Sequence, residues 1–293
     1  MVYKNNPGIL KITAVTSTAD KGYLASLTTF RAKREANLRG EYGWLSLAGL
    51  FWLQEGENAF GSAAGNPVRL PARAAERAGV FTLRGGQVTV SVEEGIFLLL
   101  NESELSPASA PLKSDVSGQA DFLFLGDLRL AVIERGGRPV IRVWDPQSAV
   151  RRDFGGCLWF EPDARFRVTA KVETYAEPKP VMIEDIVGIT RPAEMQAALA
   201  FALDGYEYRL DAERLEDGSY DMIFKDSTAG KSTYPAGRYL TSEVGEGGRV
   251  VIDFNYAYNP PCAFTEFATC PLPLPQNVLP VAIQAGEKYR KSR

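Results

Sequence analysis

The residues best suited to chemistry lie in the last third of the chain, in two short segments. Residues 226–233 read DSTAGKST and residues 253–262 read DFNYAYNPPC. They combine carboxylates, hydroxyls and amides, which exchange protons or bind polar ligands, with tyrosines and a cysteine. Because the chain has no histidine, acid–base work falls to Asp, Glu, Lys, Tyr or a thiolate, and histidine-dependent triads and zinc sites are excluded.

Two interpretations fit the second segment. In a β-strand, Asp253 and Asn255 point to one face, where Tyr258 can join them around a polar pocket. Alternatively, Asp253, Asn255 and Asn259 hold the following proline-rich chain in place through hydrogen bonds. The two roles are compatible, and the sequence leaves both open.

The first segment resembles two catalytic loops without completing either pattern. Gly230-Lys231-Ser232 is typical of phosphate-binding loops, but Lys225 stands where the upstream glycine is required and Pro235 prevents a following helix. A Thr-x-x-Lys spacing within it resembles a nucleophile pair, which also needs a helix. We therefore predict a β-turn that joins two strands and in which Asp226 caps backbone donors.

Arg238 follows Gly237 in an aromatic context that includes Tyr234. Its guanidinium can form a buried ion pair with Asp253 or hold an anionic group of a ligand, and both roles stay open. A ligand role for Asp226, Thr233 and Tyr234 accompanies the second interpretation.

The three cysteines divide into a pair and a single residue. Cys262 and Cys270 are eight positions apart with prolines on both sides, so buried thiols, a disulfide and a reactive Cys262 thiolate near Arg238 or Lys231 are all open. Cys157 lies in an apolar run and is expected in the core. Three cysteines cannot close a Cys-only zinc site, and we expect neither a metal nor a cofactor.

Composition limits the classes of partner. A net charge of -3 gives no electrostatic reason to expect nucleic acid or an anionic membrane. Residues 1–7 are polar and no apolar run of signal or transmembrane length follows, which predicts a soluble, cytoplasmic protein. The expected partner is a small molecule, and the oligomeric state is left open.

The elements that must position these residues are mostly β. A helix is predicted over 19–39, capped by Asp20, with Leu24 and Leu27 on its apolar face. The run 44–53 is predicted as a buried strand or short helix, and 55–58 as a turn. Short alternating runs bounded by Gly or Pro predict strands. They lie at 67–70, 79–84, 87–92, 96–100, 128–135, 139–144, 166–172, 181–189, 198–203, 206–211, 219–224 and 249–254.

This pattern predicts a mostly β fold of two packed, sandwich-like or barrel-like lobes. We expect an N-terminal amphipathic helix and arm at 1–40, a β-sandwich lobe at 41–155 and a second β-rich lobe at 156–293. The second lobe ends in an irregular, proline-rich segment and carries the predicted site.

Three blocks of the last third resemble the domain-of-unknown-function family 1684. They are 224–240 (FKDSTAGKSTYPAGRYL), the 253–262 segment, and CPLP at 270–273 with AGEK at 285–288. The N-terminal stretch 43–62 is similar to the same family, so the resemblance extends from about 25 to 290. It implies a β-rich architecture and no established activity.

The N-terminal half also resembles the opening of a forkhead-associated sandwich, through GENAFGS at 56–62 and VRLP at 68–71. In that fold an Arg and a Ser contact phosphothreonine. Here no Arg follows Gly61 and the Ser-x-x-His segment is missing, so the likeness implies the sandwich without phosphopeptide binding.

We hypothesise a small-molecule pocket in the second lobe, for an anionic ligand held by Arg238, with carboxylates acting in a histidine-independent hydrolysis. The predicted catalytic residues are Asp226, Asp253, Tyr234 and Cys262. The predicted ligand-binding residues are Arg238, Thr233, Asn255, Tyr258, Asn259 and Glu287. The alternatives are a non-catalytic binding or protein-interaction module, in which these residues only order the chain, and a redox function of Cys262 and Cys270.

Overall fold

A computed structural model describes residues 21–101, 103–105, 109–243 and 245–289, and it is mostly β, as predicted. The chain forms two compact units. Unit 1 comprises Met1–Glu35 (described from residue 21), Gly156–Ala263 and Thr269–Arg293, and unit 2 comprises Ala36–Gly155 and Phe264–Ala268. The predicted cap Asp20 lies outside the described residues.

Unit 2 contains eleven strands among its described residues. They are β1 Leu47–Trp52, β2 Gly56–Gly61, β3 Val68–Arg69, β4 Gly79–Arg84, β5 Gln87–Val92, β6 Leu99–Leu100, β7 Ser103–Glu104, β8 Ala110–Leu112, β9 Phe122–Leu125, β10 Leu128–Arg135 and β11 Arg138–Trp144. One sheet has the order β1-β11-β10-β9-β6-β7 and the other β3-β2-β4-β5-β8. One buried cluster takes side chains from both sheets, which makes unit 2 a sandwich.

Strand β2 replaces the turn predicted at 55–58. It pairs antiparallel with β4, and the Asn58 side chain is buried. Its amide oxygen accepts from the backbone N–H of Gln54 and its amide nitrogen donates to the Gln54 carbonyl. The polar residue that suggested a turn therefore satisfies the backbone at the start of a strand. The run at 44–53 forms a 3₁₀ turn, Trp44–Ser46, followed by β1.

Unit 1 has one six-stranded antiparallel sheet. Its strands are β12 Arg167–Glu184, β13 Thr190–Leu203, β14 Tyr206–Arg214, β15 Tyr220–Phe224, β16 Arg238–Thr241 and β17 Arg249–Asp253, in the order β16-β15-β14-β13-β12-β17. A bridge between Glu243 and Val251 brings the chain after β16 against β17 at the other edge. The sheet thus curls toward a barrel around an apolar core.

Strand β12 joins two strands that the sequence predicts separately. The register shifts between Thr174 and Lys179, where the strand carries an irregularity instead of ending. The second predicted strand ends early, because the chain turns after Glu184 and the Asp185 carboxylate accepts from the backbone N–H of Val187 and of Ile189.

Helix α1, Lys21–Leu38, lies mainly in unit 1. Its covered face runs through Tyr23, Leu27, Phe30 and Arg34, at three- and four-residue spacings. Leu24, predicted on this face, is 39% exposed, because Tyr23 takes the corresponding position one residue earlier. A four-residue helix α2 spans Ala149–Arg152, and neither described α-helix is long and apolar enough to cross a bilayer.

The chain after β17 is irregular, as predicted. It contains the 3₁₀ turns Phe254–Tyr256, Pro261–Ala263 and Pro275–Asn277, and backbone hydrogen bonds to the barrel hold it in place. Lys225 exchanges two such bonds with Asn277 and Leu279. The segment therefore has ordered backbone without being a sheet strand.

Candidate functional site

Asp226 lies at the centre of a buried polar cluster at the end of β15. One carboxylate oxygen accepts from the backbone N–H of Thr228 (3.2 Å), from its hydroxyl (2.6 Å) and from the backbone N–H of Ile283 (2.8 Å). The other accepts from Thr233 Oγ1 and from Arg238 Nη2, both at 3.3 Å. Three of these donor residues lie in the loop after β15 or at the start of β16, and Ile283 lies in the irregular C-terminal segment. Asp226 thus caps backbone donors of the loop between β15 and β16, as the sequence predicts.

Arg238 is 1% exposed, and both terminal nitrogens of its guanidinium donate to protein acceptors. Nη1 donates to the Ala285 carbonyl and Nη2 to the Ile283 carbonyl (2.9 Å) as well as to Asp226. Burial lowers the pKa of Arg238 to about 10, against the opposing effect of Asp226. The structure thus pairs Arg238 with Asp226 instead of Asp253, and its anion-holding role stays a prediction.

Three of the predicted ligand residues meet the C-terminal chain and helix α1. The Asn255 side chain donates to the Asp163 carbonyl and accepts from the Asp163 N–H. The Glu287 carboxylate accepts from the Asn259 N–H (3.0 Å) and from Arg34 Nε (2.8 Å). These contacts match the predicted alternative in which polar side chains order the proline-rich segment.

The backbone at Gly286 allows this approach. Gly286 has φ +77°, and a β-carbon there would stand 2.4 Å from the Ala257 carbonyl oxygen and 2.7 Å from that of Phe254. Only glycine combines that conformation with such close packing. The neighbouring Glu287 N–H donates to the Ala257 carbonyl at 2.8 Å, which completes the junction.

Asp253 and Tyr258 line a cavity of about 230 Å³ in unit 1. Helix α1 closes one side with Phe30, and the β16 end contributes backbone and hydroxyl groups. The lining residues are Phe30, Leu240, Thr241, Ser242, Glu243, Asp253, Tyr256 and Tyr258. Of the predicted site residues that the structure describes, these two share a cavity.

Aromatic rings form the walls of this cavity. The Phe30 ring centroid is 4.9 Å from that of Tyr256 and 6.4 Å from that of Tyr258, with the planes inclined at 65° and 56°. Tyr23 stacks edge-on against Tyr256 at 6.4 Å, and Ser26 Oγ lies 2.6 Å from the Tyr256 hydroxyl. The rings thus pack edge-to-face or inclined on one another along one side of the cavity.

The Asp253 carboxylate is held by donors on two sides. It accepts from the Tyr23 hydroxyl (2.8 Å), from the Asn255 N–H (3.0 Å) and from the Asn255 side chain (2.8 Å), and Arg167 Nε lies 3.5 Å away. Burial raises the pKa of Asp253, and this effect exceeds the opposite influence of these donors. Burial and the adjacent carboxylate also raise the pKa of Tyr23.

Carboxylates outnumber cations around the cavity. Glu243 accepts from Arg167 at 2.9 and 3.0 Å, and the same guanidinium is the one near Asp253. Asp221 accepts from the hydroxyl of the cavity residue Thr241 (2.9 Å), and burial raises its pKa. Arg167 thus pairs with two carboxylates of the lining, and a third carboxylate, Asp221, lies behind Thr241. Asp221 carried no sequence signal, because only the pairing of β15 with β16 brings it to Thr241.

The family comparison covers most of this site. A family model described as "Protein of unknown function (DUF1684)" matches residues 152–288. The chain belongs to this family. Within the cavity lining, Phe30 alone falls outside the DUF1684 match, so the helix adds an aromatic wall to a family-derived surface. The expected likeness of residues 43–62 to the family is not part of the match.

A solved structure is also similar to about half of the chain. It is the solution structure of an uncharacterized protein from Haloarcula marismortui, 33% identical, and the match covers 49% of this chain and 82% of that one with a TM-score of 0.41. No curated protein matches the chain.

The remaining predicted residues, Tyr234 and Cys262, lie together away from the cavity lining. The Tyr234 hydroxyl donates to the Cys262 carbonyl at 2.8 Å, and the Cys262 N–H donates to Cys270 Sγ at 3.2 Å. All three belong to the DUF1684 match. Cys157 is half-buried elsewhere in unit 1, and its N–H donates to Glu35.

A second cavity in unit 1 has a volume of about 490 Å³, and Arg214 and Arg249 are among its lining residues. Among the described residues its lining includes no carboxylate and none of the predicted site residues. It therefore lacks the carboxylates on which the hydrolytic hypothesis depends.

Proposed function

We propose that unit 1 is a small-molecule-binding module whose cavity at Asp253 takes a small organic cation, such as a protonated or quaternary amine. The observation that carries the proposal is the combination of three aromatic walls with a local excess of carboxylates. Ring faces attract cations through their quadrupole, and the attraction strengthens where water is excluded. This replaces the anionic ligand expected from the sequence with one of opposite charge.

The size of the cavity limits the ligand. At about 230 Å³ it is smaller than typical drug-sized sites, which occupy ~300–1,000 Å³. A tetraalkylammonium head group or a short primary amine is of the right order. Arg34 already stacks on Tyr258 at 4.6 Å and is neutralised by Glu287, so it does not cancel the acidic lining.

Tetramethylammonium is the probe that tests this proposal. Titration calorimetry of the full chain is expected to detect binding of tetramethylammonium and none of acetate. Asp253→Asn should weaken binding roughly tenfold, and Tyr256→Leu by a similar factor. Glu207→Gln, which removes an exposed carboxylate outside the lining, is the matched control and should bind like wild type. Equal affinity for the cation in wild type and Asp253→Asn would sink the proposal.

Hydrolysis is a second candidate function, favoured by the raised pKa of Asp253 beside cavity hydroxyls. A buried carboxyl group whose pKa is raised can act as a general acid and deliver its proton to a leaving group. Quaternary-ammonium esters are the substrates that follow from the proposed ligand. Their turnover should fall at least ~100-fold in Asp253→Asn, with the Glu207→Gln rate unchanged. Tight binding of these esters without turnover would contradict the hydrolytic function and support binding only.

A further inference from the structure

We infer that Cys262 and Cys270 form a peroxide-reactive dithiol that closes to a disulfide and reopens with a dithiol reductant. The substrate class is a hydroperoxide, and the site lies apart from the lining of the Asp253 cavity. The proposal does not depend on that cavity's function.

The two cysteines are already adjacent. Cys270 Sγ accepts the Cys262 backbone N–H at 3.2 Å. Both are free thiols, Cys262 half-buried and Cys270 5% exposed. A reactive dithiol needs one sulfur that a small oxidant can reach and a second, protected sulfur that resolves the oxidised one, and this pair fits that description.

The backbone holds both cysteines independently of a covalent bond. Cys262 lies in the 3₁₀ turn Pro261–Ala263, and its carbonyl accepts the Tyr234 hydroxyl at 2.8 Å. The Cys270 carbonyl accepts the Ile186 N–H at 2.9 Å. Because both positions are fixed by their neighbours, bond closure needs little chain movement and is not opposed by a loose loop.

The electrostatics distinguish attacker from resolver. The thiol hydrogen bond from Cys270 lowers the pKa of Cys262 to about 7, and the same contact together with burial raises the pKa of Cys270. The titratable groups that face the pair are the two thiols themselves, Tyr234 and Tyr239. Since Tyr234 already donates its hydroxyl hydrogen to the Cys262 carbonyl, the Cys270 thiol is the main donor to a Cys262 thiolate.

The chemistry balances in two steps. The Cys262 thiolate attacks one peroxide oxygen, the O–O bond breaks, an S–O bond forms and hydroxide leaves as water after protonation. The Cys270 thiol then loses its proton and attacks the sulfenic sulfur, which forms the S–S bond and releases a second water. Two thiols and one hydrogen peroxide thus give one disulfide and two waters, and a dithiol reductant reverses the oxidation.

Thiol counting on the full chain with one equivalent of hydrogen peroxide tests the inference. Wild type, with three cysteines, should lose two thiols, and peptide mapping should find a 262–270 link that dithiothreitol removes. Cys157→Ser is the matched control and should behave identically, since burial raises the pKa of Cys157 and makes its reaction roughly tenfold slower or more. A link to Cys157, or retention of all three thiols, would overturn the proposal.

Single variants assign the roles. Cys270→Ser should accumulate a sulfenic acid at residue 262 that dimedone traps, faster as the pH rises through about 7. Cys262→Ser should give no adduct. Near-ultraviolet circular dichroism checks folding, and the wild-type peptide map decides the matter even if a variant unfolds. A dimedone adduct of equal yield in Cys262→Ser contradicts the assignment.

Discussion

Arg238 and Asp226 bury opposite charges beneath the loop between β15 and β16. Two backbone carbonyls accept from Arg238, and four hydroxyl or backbone donors besides Arg238 bind Asp226. Removing either charge therefore leaves the other buried without its counter-charge. Breaking such a pair on one side is far more harmful than replacing both members. The cluster is therefore expected to stabilise the fold, whether or not it also binds a ligand.

Arg238→Met tests this role. We expect the free energy of unfolding to fall by about 3–5 kcal/mol, because Asp226 would keep a buried, uncompensated charge. The double variant with Asp226→Asn should recover part of that loss. Urea denaturation measures both, and a loss under about 1 kcal/mol for the single variant would show that the ion pair is not needed for stability.

The raised pKa of Asp253 predicts how the stability of the protein depends on pH. Because burial raises its pKa in the folded state above the unfolded value, its stabilising contribution is full below the unfolded pKa and is lost as pH rises through the folded pKa. Asp253→Asn keeps the group neutral throughout. The unfolding free energy of the variant minus that of wild type should therefore increase as pH rises from the unfolded pKa through the folded pKa, by ~1.4 kcal/mol per unit of raised pKa.

Asp217 is the matched control for the pH experiment. Hydrogen bonds from Ser219 lower its pKa, so its contribution is present above the unfolded pKa and lost as pH falls. Asp217→Asn should give a pH dependence of opposite sign. The same sign in both variants would contradict the assigned causes.

The turn at Gly286 connects two elements that carry the site. It joins the end of the irregular segment to the 3₁₀ turn after β17, and its neighbour Glu287 binds Arg34 of helix α1. A misplaced turn would thus displace the helix that supplies one wall of the cavity. This coupling belongs to the element and not to a single side chain.

Gly286→Ala should lower the unfolding free energy by about 2–4 kcal/mol, through a strained φ and a backbone collision. The control is Gly218→Ala, which also has positive φ (+87°) but open space around the added carbon. Thermal unfolding should show the larger loss at Gly286. Equal losses would mean that backbone strain alone, without the collision, accounts for the effect.

Sequence patterns determine some elements well and others poorly. Strands β4 and β5 follow from alternation on both sides of Gly85-Gly86, which is local information. The ion-pair partner of Arg238 does not follow from local information, because Asp226 and Asp253 are both close to it in the sequence. The position of Phe30 beside the cavity is even harder to predict from the sequence. Its contacts with Tyr256 and Tyr258 span more than two hundred residues and depend on the tertiary fold.

At the scale of the whole molecule, five consecutive residues belong to a different unit from the chain on either side of them. Phe264–Ala268 belong to unit 2 although the chain on both sides belongs to unit 1. Phe267 packs on a cluster that contains Leu47, Ala131 and Trp144. The short segment therefore packs on the sheet that contains β1, β10 and β11.

Phe267→Ala should loosen the sandwich selectively. We expect faster amide exchange in β10 and β11. The loss of a partly buried ring should lower the free energy of local opening there by roughly one to three kcal/mol. Exchange in β13 and β14 of the barrel should stay as in wild type. Hydrogen–deuterium exchange with mass spectrometry measures this, and an equal increase in both units would contradict it.

The interrupted sequence of unit 1 has a consequence for biosynthesis. The Tyr23 hydroxyl and the Asp253 carboxylate that it binds are 230 positions apart, and the sandwich is encoded between them. On the ribosome, helix α1 emerges long before its barrel partner exists, whereas nearly all of the intervening unit is complete by residue 155. Nascent chains must therefore keep the covered face of α1 unoccupied during most of translation, which makes that face a natural surface for chaperone engagement.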